Sequence, residues 1–400
     1  MIIKPAQRTE SVKEYFFSIK NRERAALNKK RAAVGKDPVI NLGIGAPDGM
    51  PPASTIEKLC ESAHQPDSHK YQPYNGTAEL RNAFSAWYKR WYGVDLDPES
   101  EIQPLMGSKE GILIIFLSFI NPGDKVLVPD PGYPTYTAAA QIVGADLVKY
   151  DLKHENGWLP KIEDLEKMDL DGVKMMWINY PNMPTGAMAS HECYQQIVDF
   201  CNRHGILLVS DNPYSFVLTD DHQSVLSCEG AKKCCIEMNS LSKASNMSGW
   251  RVGMVAGDAE YIKLLLKIKS QMDSGTFKPI QMAAVDALSQ GQDWYDKINA
   301  EYARRKKVVF EMFDLLGVTY DTNTAGLFVW GHVNPDNKYL SDDTSKTLGE
   351  RMSDRLMYGA GVFITPGMAF GKNGNDYVRA SLCAPVPVLE DAIRKIKTEL

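Results

Sequence analysis

Short apolar runs rich in β-branched residues alternate with longer stretches of helical periodicity through the middle of this 400-residue chain. The runs are KVLVPD from Lys125, VKMMWINY from Val173, GILLVSD from Gly205, CCIEMNS from Cys234 and RVGMVAG from Arg251. Between them lie predicted helices such as AELRNAFSAWYKRWYG and SHECYQQIVDFCNRHG, each closed by a glycine that can take the left-handed cap conformation. Strand and helix in alternation predict an α/β fold whose mostly parallel sheet is covered by helices. That sheet core is expected from about Tyr71 to about Leu288.

The pattern changes near Trp294. A long charged helix, WYDKINAEYARRKKVVFEMFDLLG, is followed by the strand-like GLFVWGHV and a terminal helix, which predicts a separate, smaller α+β lobe. The first ~60 residues hold one charged helix and the loop NLGIGAPDGMPP, too little to bury a core alone. They are therefore assigned to the second lobe, giving a large domain over 61–290 and a small one over 1–60 and 291–400. No internal repeat or low-complexity segment interrupts this plan.

Composition narrows the function classes. Lys and Arg number 45 against 50 Asp and Glu, a net charge of -5, and the one dense basic stretch, KNRERAALNKKR, suits a solvated helix. A nucleic-acid partner is not expected. The apolar run ILIIFLSFI is far shorter than the ~20 residues that span a bilayer, and the N-terminus has no signal-like apolar region, so a cytoplasmic chain without a membrane partner is expected. The 7 cysteines form no C-x-x-C pair, and no H-E-x-x-H occurs, so neither a disulfide framework nor a metal site is expected.

Ligands of open α/β sheets bind outside the carboxyl ends of the strands, and here those positions are polar. Tyr133 follows the first run, Asn182 the second, Asp211 and Tyr214 the third, and Ser240, Ser242 and Lys243 the fourth. Four such segments predict one pocket. Gly107, Ser108 and Lys109 open a further helix, whose free N–H groups and dipole suit a phosphate, although Ser108 alone also reads as an ordinary cap. In SLSKASNMSGWRVG, Lys243 sits in a cramped turn eight residues before Arg251. By itself this is a solvated loop. In a desolvated pocket beside other cations, however, lysine loses its proton and becomes an amine nucleophile for a carbonyl. Asp211 in the same pocket can keep a pyridinium nitrogen protonated, and the arginine fork suits a phosphate or carboxylate.

These segments, with NLGIGAPD, KYQPYNGTAELR, GSKEG, PGYPTY, NMPTG, SDNPY and YVRASL in the same order, make the chain resemble the class I/II aminotransferases of the fold type I pyridoxal-phosphate enzymes over nearly its whole length. The resemblance implies pyridoxal 5'-phosphate held as a Schiff base on Lys243, which also shuttles the substrate proton. It implies that Asp211 pairs the ring nitrogen, Tyr214 the ring hydroxyl, and Tyr133 the ring face. Ser108, Lys109, Ser240 and Arg251 would form the phosphate cup, with Tyr71 reaching it from the neighbouring subunit of a homodimer. Arg379 would grip the substrate α-carboxylate, with Gly45 leaving room beside it. Taken singly, the tyrosines also read as core aromatics, Arg379 as a structural ion pair and Gly45 as a turn residue.

One position departs from the family. Met183 stands where an asparagine contacting the ring hydroxyl is usual, so that contact is either lost, with Tyr214 carrying more of it, or supplied by a shifted Asn182. Other readings are weaker. SLSK and SDN match serine acyl-enzyme motifs, but in reversed order and without K-T-G. GIGAPDG is followed by prolines that stop the helix a dinucleotide turn needs. A cofactor-sensing regulator would carry a basic DNA-reading extension, and none is left over. A carbon–sulfur β-lyase of the same fold stays open beside the transaminase. A dicarboxylic substrate such as aspartate needs a second cation, for which Lys278 is the candidate.

Overall fold

The apolar runs form strands of one seven-stranded sheet in the computed structural model, which describes residues 2–400. Across the sheet the strands are Ile102–Leu105, Gly253–Gly257, Cys235–Ser240, Leu207–Asp211, Val173–Ile178, Lys125–Asp130 and Asp146–Asp151. All pairings are parallel except those of Gly253–Gly257, which runs against both neighbours. Helices cover both faces, which is why the inner strands read as nearly unbroken apolar runs. Successive side chains still go to opposite sides: Met175 and Trp177 join the helices Ser108–Phe119, Pro134–Val143 and Ala259–Lys269, while Met176 and Ile178 join Ala78–Tyr92 and His191–His204. The latter two helices start at Thr77 and Ser190, whose hydroxyls accept from Leu80 and Cys193, and end at Gly93 and Gly205 with φ of 68° and 65°.

A second, four-stranded antiparallel sheet is ordered Thr365–Pro366, Tyr377–Ser381, Phe328–Val333 and Val318–Tyr320. Ile40–Asn41 pairs in parallel with Val362–Phe363, and Ser381 N–H donates to the Leu42 carbonyl at 2.8 Å, so early and late segments of the chain meet. The boundary near residue 60 differs from expectation. Helix Ala53–Ala63, grouped by sequence with the small lobe, packs on Lys278–Ser289, and Thr55 and Ser54 donate to Asp286 at 2.6 and 2.9 Å. The reason is local: its apolar stripe has no partner in the short strands of the small sheet and finds one on the neighbouring helix. Among the described residues no helix is long and apolar enough to cross a membrane.

A buried carboxylate stiffens the sheet behind the strand ends. Glu237 accepts from Ser224 Oγ at 2.7 Å, Tyr88 Oη at 3.0 Å, and Ser210 Oγ and Val225 N–H at 3.1 Å. Replacement of Glu237 by alanine strands these donors without water, and is expected to cost about 3 kcal/mol or more. A urea midpoint unchanged from the parent would contradict this.

Candidate active site

Six strands of common direction end at one edge of the sheet, and the seventh, Gly253–Gly257, begins there because it runs the other way. Its reversed direction brings Arg251 to the same edge as Ser108, Asp211 and Ser240. A cavity of about 540 Å³ lies there, closed on its far side by Arg379 and Phe328 of the small sheet.

One end of the cavity is built for an anion. Gly107, at φ +77°, precedes the first turn of Ser108–Phe119, and a Cβ there would fall on the Arg251 guanidinium. Gly253 is equally tight, since a Cβ would lie 2.9 Å from the Ser108 nitrogen. Both glycines therefore let backbone, helix start and arginine fork meet. Ser240 adds its hydroxyl, bonded to Ser242 Oγ at 2.9 Å and to the Val252 carbonyl at 3.1 Å. Arg251 is held by the Ser248 carbonyl at 2.9 Å. Lys109 lies 4.6 Å from the Tyr15 ring, its proton affinity lowered by burial and by Arg251.

Lys243, on the short helix Leu241–Ala244, donates to the Gly45 carbonyl. Burial, reinforced by Arg379 and Arg251, lowers its pKa and favours the free amine. It does not engage Ser240, so the serine acyl-enzyme pattern has no counterpart in the geometry. Asp211 ends its strand with Oδ2 accepting from Tyr136 at 2.7 Å and its carbonyl accepting from Asn179 Nδ2 at 2.6 Å. Burial pushes its carboxyl up to about 6, and Oδ1 has no hydrogen-bond partner. Tyr133 and Tyr214 line the same space, and burial raises both phenols.

Arg379 projects from strand Tyr377–Ser381 with no carboxylate against it. Its Nη2 donates to the Gly43 carbonyl at 3.0 Å, Nη1 lies 3.2 Å from Met183 Sδ, and Nε is unpartnered. Phe328 and Phe370 stand 3.8 and 4.5 Å from the guanidinium. An arginine buried among aromatic faces without a counter-ion is an incomplete site, which an incoming carboxylate completes. It is not a structural ion pair. Gly45 is a close approach: a Cβ would meet the Phe328 ring at 2.9 Å.

Two expectations, Asn182 and Lys278, meet a different geometry, whereas Tyr71 is placed as a residue for a neighbouring subunit's site would be. Asn182 does not line the cavity: its Oδ1 accepts from Thr185 Oγ1 at 2.8 Å and its Nδ2 donates to the Asn179 carbonyl at 3.2 Å, which holds it inside its own turn. Met183 and Asn179 face the cavity instead. Lys278 pairs with Asp67 outside it. Tyr71 is 89 % exposed and away from the cavity of its own chain. The sequence reading also passed over Asn179, Tyr136, Tyr15 and Phe17. Asn179 directly follows a strand and Tyr136 lies one helical turn beyond Tyr133, so both carried a local signal. Tyr15 and Phe17 come from the N-terminal arm, where only tertiary folding brings them in.

These residues fit pyridoxal phosphate. An unpartnered carboxylate oxygen, a buried amine of lowered pKa, and a helix start beside an arginine fork match its pyridine nitrogen, aldehyde and phosphate.

The model of the family described as aminotransferase class I and II matches residues 37–396. The chain is 37% identical over 396 residues to the LL-diaminopimelate aminotransferase of Halothermothrix orenii, covering 98% of this chain and 97% of that one. It is 38% identical over 361 residues to the LL-diaminopimelate aminotransferase of Aquifex aeolicus, covering 90% and 91%. Among solved structures, substrate-bound BacF of Bacillus subtilis superposes with a TM-score of 0.90 at 32% identity, covering 99% of this chain and 98% of the other.

Proposed function

The chain belongs to the class I and II aminotransferase family, and on that premise we propose that it moves the α-amino group of an L-amino acid to a 2-oxo acid, with a dicarboxylic amino acid as one partner. It is a pyridoxal-phosphate-dependent transaminase with a fold type I architecture. When bound, the cofactor supplies an electron-withdrawing ring that stabilises the negative charge left on the substrate Cα. Lys243 would hold the cofactor through its Nζ, and the same nitrogen, as a free amine, would take up the proton from the substrate Cα. Asp211 would keep the ring nitrogen protonated, Tyr214 would meet the ring hydroxyl, and Tyr133 would cover the ring face. Ser108, Ser240 and Arg251 would hold the phosphate, and Arg379 would orient the α-carboxylate.

The observation that carries this reading is the set of cavity cations, Lys109, Arg251 and Arg379, arranged around a buried lysine without carboxylates of their own. Two of them answer the cofactor phosphate and the substrate α-carboxylate. Lys109, exposed beside the Tyr15 ring and given by the family resemblance to the phosphate cup, is the one left for a second carboxylate, in the place sequence gave to Lys278. The relatives' named substrate, LL-diaminopimelate, likewise carries two carboxylates. We also propose a homodimer in which Tyr71, exposed like Met50 and Phe277, is covered by the second copy.

The test is a donor panel of glutamate, aspartate, LL-diaminopimelate and phenylalanine, followed by 2-oxo acid release. The expected result is turnover of at least one dicarboxylic donor, with Lys109→Met raising its KM about tenfold or more while leaving phenylalanine little changed. The protein should sediment at twice the mass of one chain. Pyruvate and ammonia from cystathionine without any amino transfer would overturn the reading in favour of the lyase.

A further inference from the structure

Asp211 is a deeply buried carboxylate, and burial works against the charged state its partnership with a protonated ring nitrogen requires. Something in the protein has to offset that penalty. The groups facing it are few: Tyr136 and Tyr133 from helix Pro134–Val143 and its cap, Lys243 from the short helix Leu241–Ala244, and Tyr214 from the segment following its own strand. Asn179 touches only its backbone carbonyl. Of these groups, Tyr136 alone donates a hydrogen bond to the carboxylate, at 2.7 Å to Oδ2.

Tyr136 is itself fixed on all sides. Its ring stacks on Trp177 with centroids 4.7 Å apart and meets Tyr133 edge-on at 5.6 Å. It is 1 % exposed, so its hydroxyl cannot exchange Asp211 for water. A rigid donor on Oδ2 leaves Oδ1 as the free acceptor.

We infer that Tyr136 is a positioning residue for the cofactor: its phenol fixes the Asp211 rotamer and favours the ionised carboxylate, so that Oδ1 stands ready for the ring N–H. The inference rests on Asp211 being the ring-nitrogen partner. An O–H donor stabilises the charged acceptor more than the neutral one, so losing it raises the Asp211 pKa, by roughly one to two pH units for a hydrogen bond to a charged group. The carboxylate of the wild type is charged above about 6, and that of Tyr136→Phe only at higher pH.

The experiment compares pyridoxal phosphate affinity of the full-length apoprotein and its Tyr136→Phe variant from pH 5.5 to 9. The ratio of the two dissociation constants cancels every ionisation of the ligand itself. The expected ratio is near one at pH 9 and grows to about tenfold or more at pH 6. With a carbocyclic analogue whose ring nitrogen is replaced by carbon, the ratio stays flat. Tyr136→Phe preserves the stack on Trp177, and its thermal melt establishes that the fold is intact. A pH-independent ratio for pyridoxal phosphate itself would overturn the role of Tyr136, because lost packing weakens binding equally at every pH. Asp211→Asn separates the two assignments. If that variant still prefers pyridoxal phosphate over the carbocyclic analogue as strongly as the wild type, the assignment of Asp211 fails. If the preference vanishes but the Tyr136→Phe ratio is flat, only the Tyr136 inference fails.

Discussion

Alanine in place of Lys243 is expected to lower kcat for transamination by about four orders of magnitude. In the proposed reaction the side chain would hold two roles in succession at one atom, since Nζ would first anchor the cofactor and then carry the substrate proton. Burial that lowers its pKa keeps that nitrogen uncharged, and an uncharged amine is what both roles need. The neighbouring cavity groups remain: Ser108, Ser240 and Arg251 at the anion end and Asp211 at its strand end do not depend on Lys243 for their positions. The variant should therefore fold and bind pyridoxal phosphate, but without a covalent link. Single-turnover mixing with glutamate measures the chemical step directly. A rate within tenfold of the wild type would show that another group moves the proton.

The second large effect is at Arg379. Replacing it by alanine is expected to reduce kcat/KM for every amino-acid donor by about 10²- to 10³-fold, the cost of leaving a buried carboxylate without its partner. Lysine should not restore it, because one ammonium cannot reproduce the planar fork that Phe328, Phe370 and the Gly43 carbonyl hold in place. Cofactor affinity should change little, because Arg379 is proposed for the substrate and lies across the cavity from the anion end. Burial brings its pKa down to about 10, so its positive charge is fully present at neutral pH and is lost only as pH rises through that value. Capture of the α-carboxylate is accordingly expected to be constant between pH 7 and about 9. A loss of kcat/KM confined to dicarboxylic donors would instead assign Arg379 to the distal carboxylate.

The convergence of the site was legible in sequence because strand ends of a parallel sheet share one edge. Each polar residue placed directly after an apolar run, Tyr133, Asp211 and Ser240 among them, had nowhere else to go. Arg251 was legible for the opposite reason, as its strand starts where the others end. Asn182 failed the same rule, lying four residues beyond the strand end at Ile178. Its carboxamide finds partners in Thr185 and Asn179 within its own turn, a local competition that strand periodicity does not encode. Lys278 was judged by type alone, and a surface aspartate 211 positions away in sequence claims it. Tyr15 and Phe17 belong to a helical arm with no local mark of a site. They reach the cavity because Arg8–Ser11 packs on Pro134–Val143 and the helix Phe16–Ala33 follows from there. Helix Ala53–Ala63 was misplaced for a related reason, since its partner Lys278–Ser289 is more than two hundred residues distant.

The most direct measurement is to reduce the holoenzyme with borohydride, digest it and locate the pyridoxyl group by mass spectrometry, before and after exposure to a dicarboxylic amino donor. The account predicts the label on Lys243 alone before the donor, and a chain without label afterwards, because the amino group then resides on a cofactor no longer joined to the protein. A label on another lysine, or one that persists undiminished on Lys243 after every donor of the panel, would contradict it.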